Sequence, residues 1–88
     1  MRVVTKSSFH RDIKKLRDAK VLARTLECVN AARTAASLQD LGDVVLMTDY
    51  PGYSRIRVGE YRIGFHFDGD TIPFLRVLRR RDFYRSFP

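Results

Sequence analysis

Between Arg55 and Leu78 the apolar residues recur with a period of two, in three runs separated by two tight-turn signals. Ile56 and Val58 alternate with Arg55 and Arg57. After Gly59-Glu60, Tyr61, Ile63, Phe65 and Phe67 alternate with Arg62, Gly64 and His66, and after Asp68-Gly69-Asp70 comes TIPFLRVL. Successive side chains of a strand point to opposite sheet faces, so the pattern predicts a three-stranded antiparallel meander. Its aromatic face carries Tyr61, Ile63, Phe65 and Phe67; its other face carries Arg62, Gly64 and His66. Glycine leading a two-residue loop and an Asp-Gly-Asp segment are both hairpin chemistry. The third run is apolar on both faces apart from Arg76, which predicts a strand covered on both sides. Pro73 has no N–H to give a ladder and belongs near the strand start or opposite a bulge.

Ahead of the Pro51-Gly52 turn the period is helical. Ser7 and Ser8 are N-cap candidates for a helix in which Phe9, Ile13 and Leu16 share a face, with Arg11, Asp12, Lys14, Lys15 and Arg17 at the other positions. Asp18 can cap a second helix with Leu22, Leu26 and Val29 on its apolar stripe and Cys28, Ala31, Ala32 and Ala35 as small packing residues. The short connection makes the two helices an antiparallel hairpin. VVT at the start and VVLM before the turn are short strand candidates. The helices need an apolar face to cover, and the aromatic face of the meander supplies one. The expected fold is α+β, one domain over residues 1–88: an N-terminal strand and a helical hairpin packed on a small antiparallel sheet, closed by a short C-terminal helix. Its 88 residues suffice for a single modest core.

The formal charge of +7 favours nucleic acid, an acidic protein or an anionic membrane as partner. All four lysines lie within residues 1–20, whereas the eight basic residues from Tyr53 onward are all arginine. Arginine's planar fork suits bidentate phosphate contacts, which makes the second half the more site-like. One cysteine excludes an internal disulfide, and no Cys and His residues stand at metal-ligand spacing, so no metal or cofactor is expected. No segment is apolar enough for a signal peptide or a membrane span, so a cytoplasmic protein with no membrane partner is expected.

Arg62 is held by a strand on the face opposite the aromatics, either as a solvated residue or as a rigidly placed guanidinium. Arg80 and Tyr84 fall one helical turn apart just after the last strand, so a terminal helix puts them on one face. Two arginines and a phenol around a cleft suit phosphodiester chemistry: the guanidiniums meet charge at phosphorus, and the phenol stacks on a base or moves a proton. The alternative is that Phe83, Tyr84 and Phe87 seal the core's edge while the arginines face water. His66, four residues along the strand from Arg62 and roughly 13 Å away, is a possible acid or base or a half-buried neighbour. His10 is expected in solvent and Cys28 in the core.

RIRVGEYRIGF and LRVLRRRDFY, in that order behind a helix pair, resemble the hairpin and the strand with R-R-D-x-Y of the RelE/ParE superfamily of toxins from toxin-antitoxin pairs. The resemblance covers nearly the whole chain. It implies a RelE-like fold and, for RelE-type members, a metal-independent endoribonuclease that cuts mRNA on the ribosome and so inhibits translation. In that reaction the 2'-hydroxyl attacks the adjacent phosphate. By motif position the catalytic residues fall on Arg62, Arg80 and Tyr84. Arg55, Arg57, His66, Arg79 and Arg81, with Lys14 and Lys15 of the first helix, are the candidate RNA-binding residues. Many relatives have Gly-His where Leu78-Arg79 stands here, which removes a candidate acid or base and leaves Arg79 to add phosphate affinity. The resemblance further implies a cognate antitoxin whose acidic or amphipathic segment wraps the toxin as a hetero-oligomer. ParE-type members share the fold but act on DNA gyrase, and a module that binds RNA without cutting it is the third reading.

Overall fold

The computed structural model describes residues 1–88. In chain order the elements are β1 (Arg2–Thr5), α1 (Ser7–Lys15), α2 (Ala19–Thr34), a 3-10 turn (Leu38–Leu41), β2 (Val44–Leu46), β3 (Tyr53–Val58), β4 (Tyr61–His66), β5 (Thr71–Arg79) and α3 (Arg80–Ser86). The predicted meander β3-β4-β5 forms the middle of a five-stranded sheet of order β1-β5-β4-β3-β2. The two short strands extend it at the edges, β2 antiparallel to β3 and β1 parallel to β5, so the sheet is mixed. No helix is long and apolar enough to cross a membrane.

One face of the sheet carries the main core, in which Ile56, Val58, Ile63, Phe65, Ile72, Phe74 and Val77 meet Phe9 of α1 and Val21, Val29 and Ala32 of α2. Tyr61 and Phe67, at the ends of the expected aromatic row, are only half-buried against it. Asp18 caps α2 as expected, accepting the N–H groups of Lys20 at 3.0 Å and Val21 at 3.2 Å. The stripe that α2 buries, however, is Val21, Thr25, Val29 and Ala32, one residue round from the expected Leu22 and Leu26, and Leu26 is 47% exposed. Thr25 is tolerated inside because its hydroxyl donates to the Val21 carbonyl at 2.7 Å. Cys28 is half-buried beside the core, and loss of hydration pushes its thiol above the ordinary value despite the nearby Arg24 cation.

Neither serine caps α1: the helix begins at Ser7 behind Lys6. Ser8 instead donates to the Leu75 carbonyl at 2.6 Å. The reason lies in strand lengths. β5 has nine residues and β1 four, so beyond Phe74 the outer edge of β5 has no strand partner. A buried strand edge must find other partners. α1 covers it with two side chains one turn apart, Ser8 and Asp12. Asp12, which the helical pattern left off the apolar face, is buried; it accepts the Val77 N–H at 3.0 Å and holds Arg76 through Nε at 2.7 Å and Nη2 at 3.1 Å. That carboxylate raises the pKa of the Arg76 guanidinium above its ordinary value. Opposite this edge the β4–β5 register slips, Gly64 pairing with Arg76 and Phe65 with Phe74, which leaves Leu75 as a bulge two residues beyond Pro73.

The second face is covered by α3, whose Phe83 stacks at 4.8 Å on Phe87, the residue that closes the helix, while Phe87 meets Tyr53 edge-on at 5.6 Å. Phe87 lies against the backbone of Gly64, where an added Cβ would stand 2.6 Å from its ring. Gly64→Ala should therefore displace Phe87 and loosen the end of α3 at a cost of about 1–3 kcal/mol, read by thermal unfolding and by faster amide exchange in α3. Unchanged exchange there would show that Phe87 does not anchor the helix.

Candidate active site

β5 runs into α3 without a loop: Arg79 is the last strand residue and Arg80 the first helical one. The Arg80 N–H donates to the Glu60 carbonyl at 2.7 Å, which ties the start of α3 to the Gly59-Glu60 turn of the β3–β4 hairpin. Arg79, Arg80, Arg81, Asp82 and Tyr84, with Glu60, line an open cleft of about 590 Å³. Phe83 turns inward and is fully buried, while Tyr84 is 49% exposed, so α3 both seals the sheet and presents a phenol. Arg55 of β3 reaches over to Tyr84, its Cζ 5.6 Å from the ring centroid. Cations beside an aromatic face are a common platform for nucleotides.

Arg62 does not line this cleft. It is 6% exposed on the face covered by α3, and its Nη1 donates to the carbonyls of Gly59 and Tyr61, both at 2.8 Å. Its Nε is buried with no partner. Arg57 stands directly opposite it in the β3–β4 ladder and is exposed. Arg62 therefore braces from beneath the same turn that holds Arg80 from above. It is joined to Arg80 through two backbone carbonyls and the turn between them, rather than through a shared open surface.

The other candidates separate. His66 is half-buried at the far end of β4, edge-on to Tyr53 at 4.7 Å and packed under Gly52, away from the cleft. Lys14 and Lys15 are exposed on α1, and Lys15 borders a neighbouring groove shared with Arg79. His10 is exposed, its Nε2 2.9 Å from the Thr5 hydroxyl. Three participants escaped the sequence reading. Glu60 and Asp82 line the cleft, and Tyr61 carries the Arg79 guanidinium 5.4 Å over its ring. The chain contains a single ion pair, Arg76 with Asp12, so the guanidiniums of the cleft have no carboxylate within 4 Å.

Residues 3–84 match the family model described as the ParE toxin of the type II toxin-antitoxin system parDE, and the chain belongs to that family, within the RelE/ParE superfamily. Among individual proteins it is 38% identical to Toxin RelE3 of Methanocaldococcus jannaschii over 89 residues, covering 100% of both chains. The structure superposes on the toxin of the RelB-RelE antitoxin-toxin complex from Methanococcus jannaschii with a TM-score of 0.83 and 35% identity, over 97% of this chain and 99% of that one. The toxin-antitoxin complex RelBE2 from Mycobacterium tuberculosis matches with a TM-score of 0.69 and 26% identity, over 90% of this chain and 96% of that one. The chain is thus a RelE-like toxin of a type II toxin-antitoxin system.

Proposed function

We propose that this toxin is an endoribonuclease that, like RelE-type members, cuts mRNA on the ribosome, and that the cleft at the β5–α3 junction is its active site. In this reading the 2'-hydroxyl of one nucleotide attacks the adjacent phosphorus, its proton leaving to a base, and the bond from phosphorus to the 5'-oxygen breaks as that oxygen takes up a proton. The products are a 2',3'-cyclic phosphate and a 5'-hydroxyl. Arg80, with Arg79 and Arg81 beside it, meets the charge that builds on the phosphoryl oxygens. Tyr84 stacks on a flanking base or takes the 2'-hydroxyl proton, with Arg55 against its ring. Arg62 acts from below, fixing the turn from which Arg80 is held. The observation that carries the reading is the gathering of Arg79, Arg80, Arg81 and Tyr84 around one open cleft in which no guanidinium is paired with a carboxylate. Unpaired, the cations remain available to a polyanion.

Relatives occur as toxin-antitoxin complexes, and this protein is proposed to have a cognate antitoxin that binds it as a hetero-oligomer. The match to the ParE description favours a second reading, inhibition of DNA gyrase. Induction of the protein in a growing bacterium, with primer extension on a reporter mRNA, separates the two. Cleavage within the reading frame, lost in Arg80→Ala, is the expected result. Growth arrest with intact mRNA and altered plasmid supercoiling would move the target to gyrase, and RNA binding without arrest would leave a binding module.

A further inference from the structure

Beside the cleft, across Arg79, lies a second and larger depression of about 710 Å³ between the α1–α2 connection and the β3–β4 turn. Lys15, Arg17, Lys20, Arg24 and Arg79 line it against two carboxylates, Asp18 and Glu60. Asp18 turns Oδ1 onto the N–H groups that open α2, and none of the five cations has an ion-pair partner. Tyr61 also lines the depression, with Arg79 over its ring. Arg79 and Glu60 border both depressions, so the two adjoin across these residues, with Tyr84 in one and Arg24 in the other. A cationic groove with an aromatic side chain in its wall is the arrangement by which single-stranded nucleic acid is held without sequence preference.

We infer that this second depression is a backbone-binding track for single-stranded RNA, which grips the strand on one side of the bond cut in the cleft. The inference rests on the RNA reading of the cleft and extends it from Lys15 to Arg17, Lys20 and Arg24. It gives RNA affinity a length dependence: an oligonucleotide confined to the cleft engages Arg79 to Arg81, whereas a longer one also neutralises Lys15, Arg17, Lys20 and Arg24.

The test is fluorescence anisotropy with 2'-O-methyl RNA, which has no free 2'-hydroxyl to attack, in a short form and in a form long enough to span both depressions, across a salt series. The triple variant Arg17→Ala, Lys20→Ala, Arg24→Ala alters only exposed side chains and should keep the wild-type melting temperature. For the long RNA it should weaken binding and flatten the slope of log K against log salt by about 2, near 0.7 for each lost phosphate contact. For the short RNA it should match wild type. Arg11→Ala with Arg33→Ala, exposed arginines lining neither depression, should leave both RNAs unaffected. A triple variant with wild-type affinity and slope for the long RNA overturns the track while leaving the cleft reading standing. If that variant instead loses only its association with the antitoxin, the groove is a protein-docking surface and the inference is again overturned. Wild-type protein that binds neither RNA overturns the track, while the cleft reading stands or falls on the primer-extension experiment.

Discussion

Replacing Asp12 by alanine should destabilise the protein by about 3 kcal/mol, which for a domain of this size lowers the thermal midpoint by roughly 15 °C. The carboxylate accepts three hydrogen bonds, from Arg76 Nε at 2.7 Å, Arg76 Nη2 at 3.1 Å and the buried Val77 N–H at 3.0 Å. Its removal leaves the Val77 N–H unpaired inside the protein, a loss of about 1–3 kcal/mol by itself. It also strips Arg76 of its only carboxylate. Breaking a buried pair from one side costs about 3–5 kcal/mol, and the lower end applies because the Arg76 side chain is 32% exposed and can turn to water. Asp12→Asn should cost less, since the amide oxygen still accepts from Val77. A chemical or thermal denaturation experiment showing less than about 1 kcal/mol for Asp12→Ala would mean that α1 does not close the β5 edge as described.

Asp12 also marks the limit of what the sequence discloses. The meander is legible because each strand carries its own period and each hairpin its own turn residues, so β3, β4 and β5 can be read from neighbours a few positions apart. The Asp12–Arg76 pair joins residues 64 apart in sequence, and a lone acid within a basic helix looks solvated. Its spacing of three from Phe9 was the available signal. The parallel pairing of β1 with β5 is non-local in the same way. On α2 the sequence offers two adjacent stripes, and leucine is the more apolar choice. The structure takes the stripe holding Thr25, whose hydroxyl can satisfy itself on its own helix. For the site, Arg80 and Tyr84 were legible from helical spacing alone. Alternation also placed Arg62 on the right face but could not show that α3 lies over that face, which decides whether a guanidinium meets solvent or backbone carbonyls. Arg55 against Tyr84, from a strand not adjacent to β5, had no sequence signal.

The burial of Arg62 leads to the second large effect, a contrast between two arginines that sequence treats alike. Arg80→Ala should lower the rate of RNA cleavage about 100- to 1,000-fold, the usual loss when one preorganised donor to a developing oxyanion is removed. Its side chain is exposed, so the melting temperature should hold. Arg62→Ala should lower activity and stability together: the variant loses two charge-assisted hydrogen bonds to the Gly59 and Tyr61 carbonyls in a buried setting, worth about 2 kcal/mol. The activity loss should then follow from a loosened Gly59-Glu60 turn, because the Glu60 carbonyl is what positions the Arg80 N–H. Single-turnover cleavage at a temperature where both variants are fully folded separates the two routes. A loss in Arg62→Ala matching that of Arg80→Ala, with no change in stability, would show that Arg62 reaches the phosphate directly and that α3 moves aside when RNA binds. A loss that tracks the melting temperature, and is partly restored by Arg62→Lys, would keep Arg62 beneath the site as the brace of the turn.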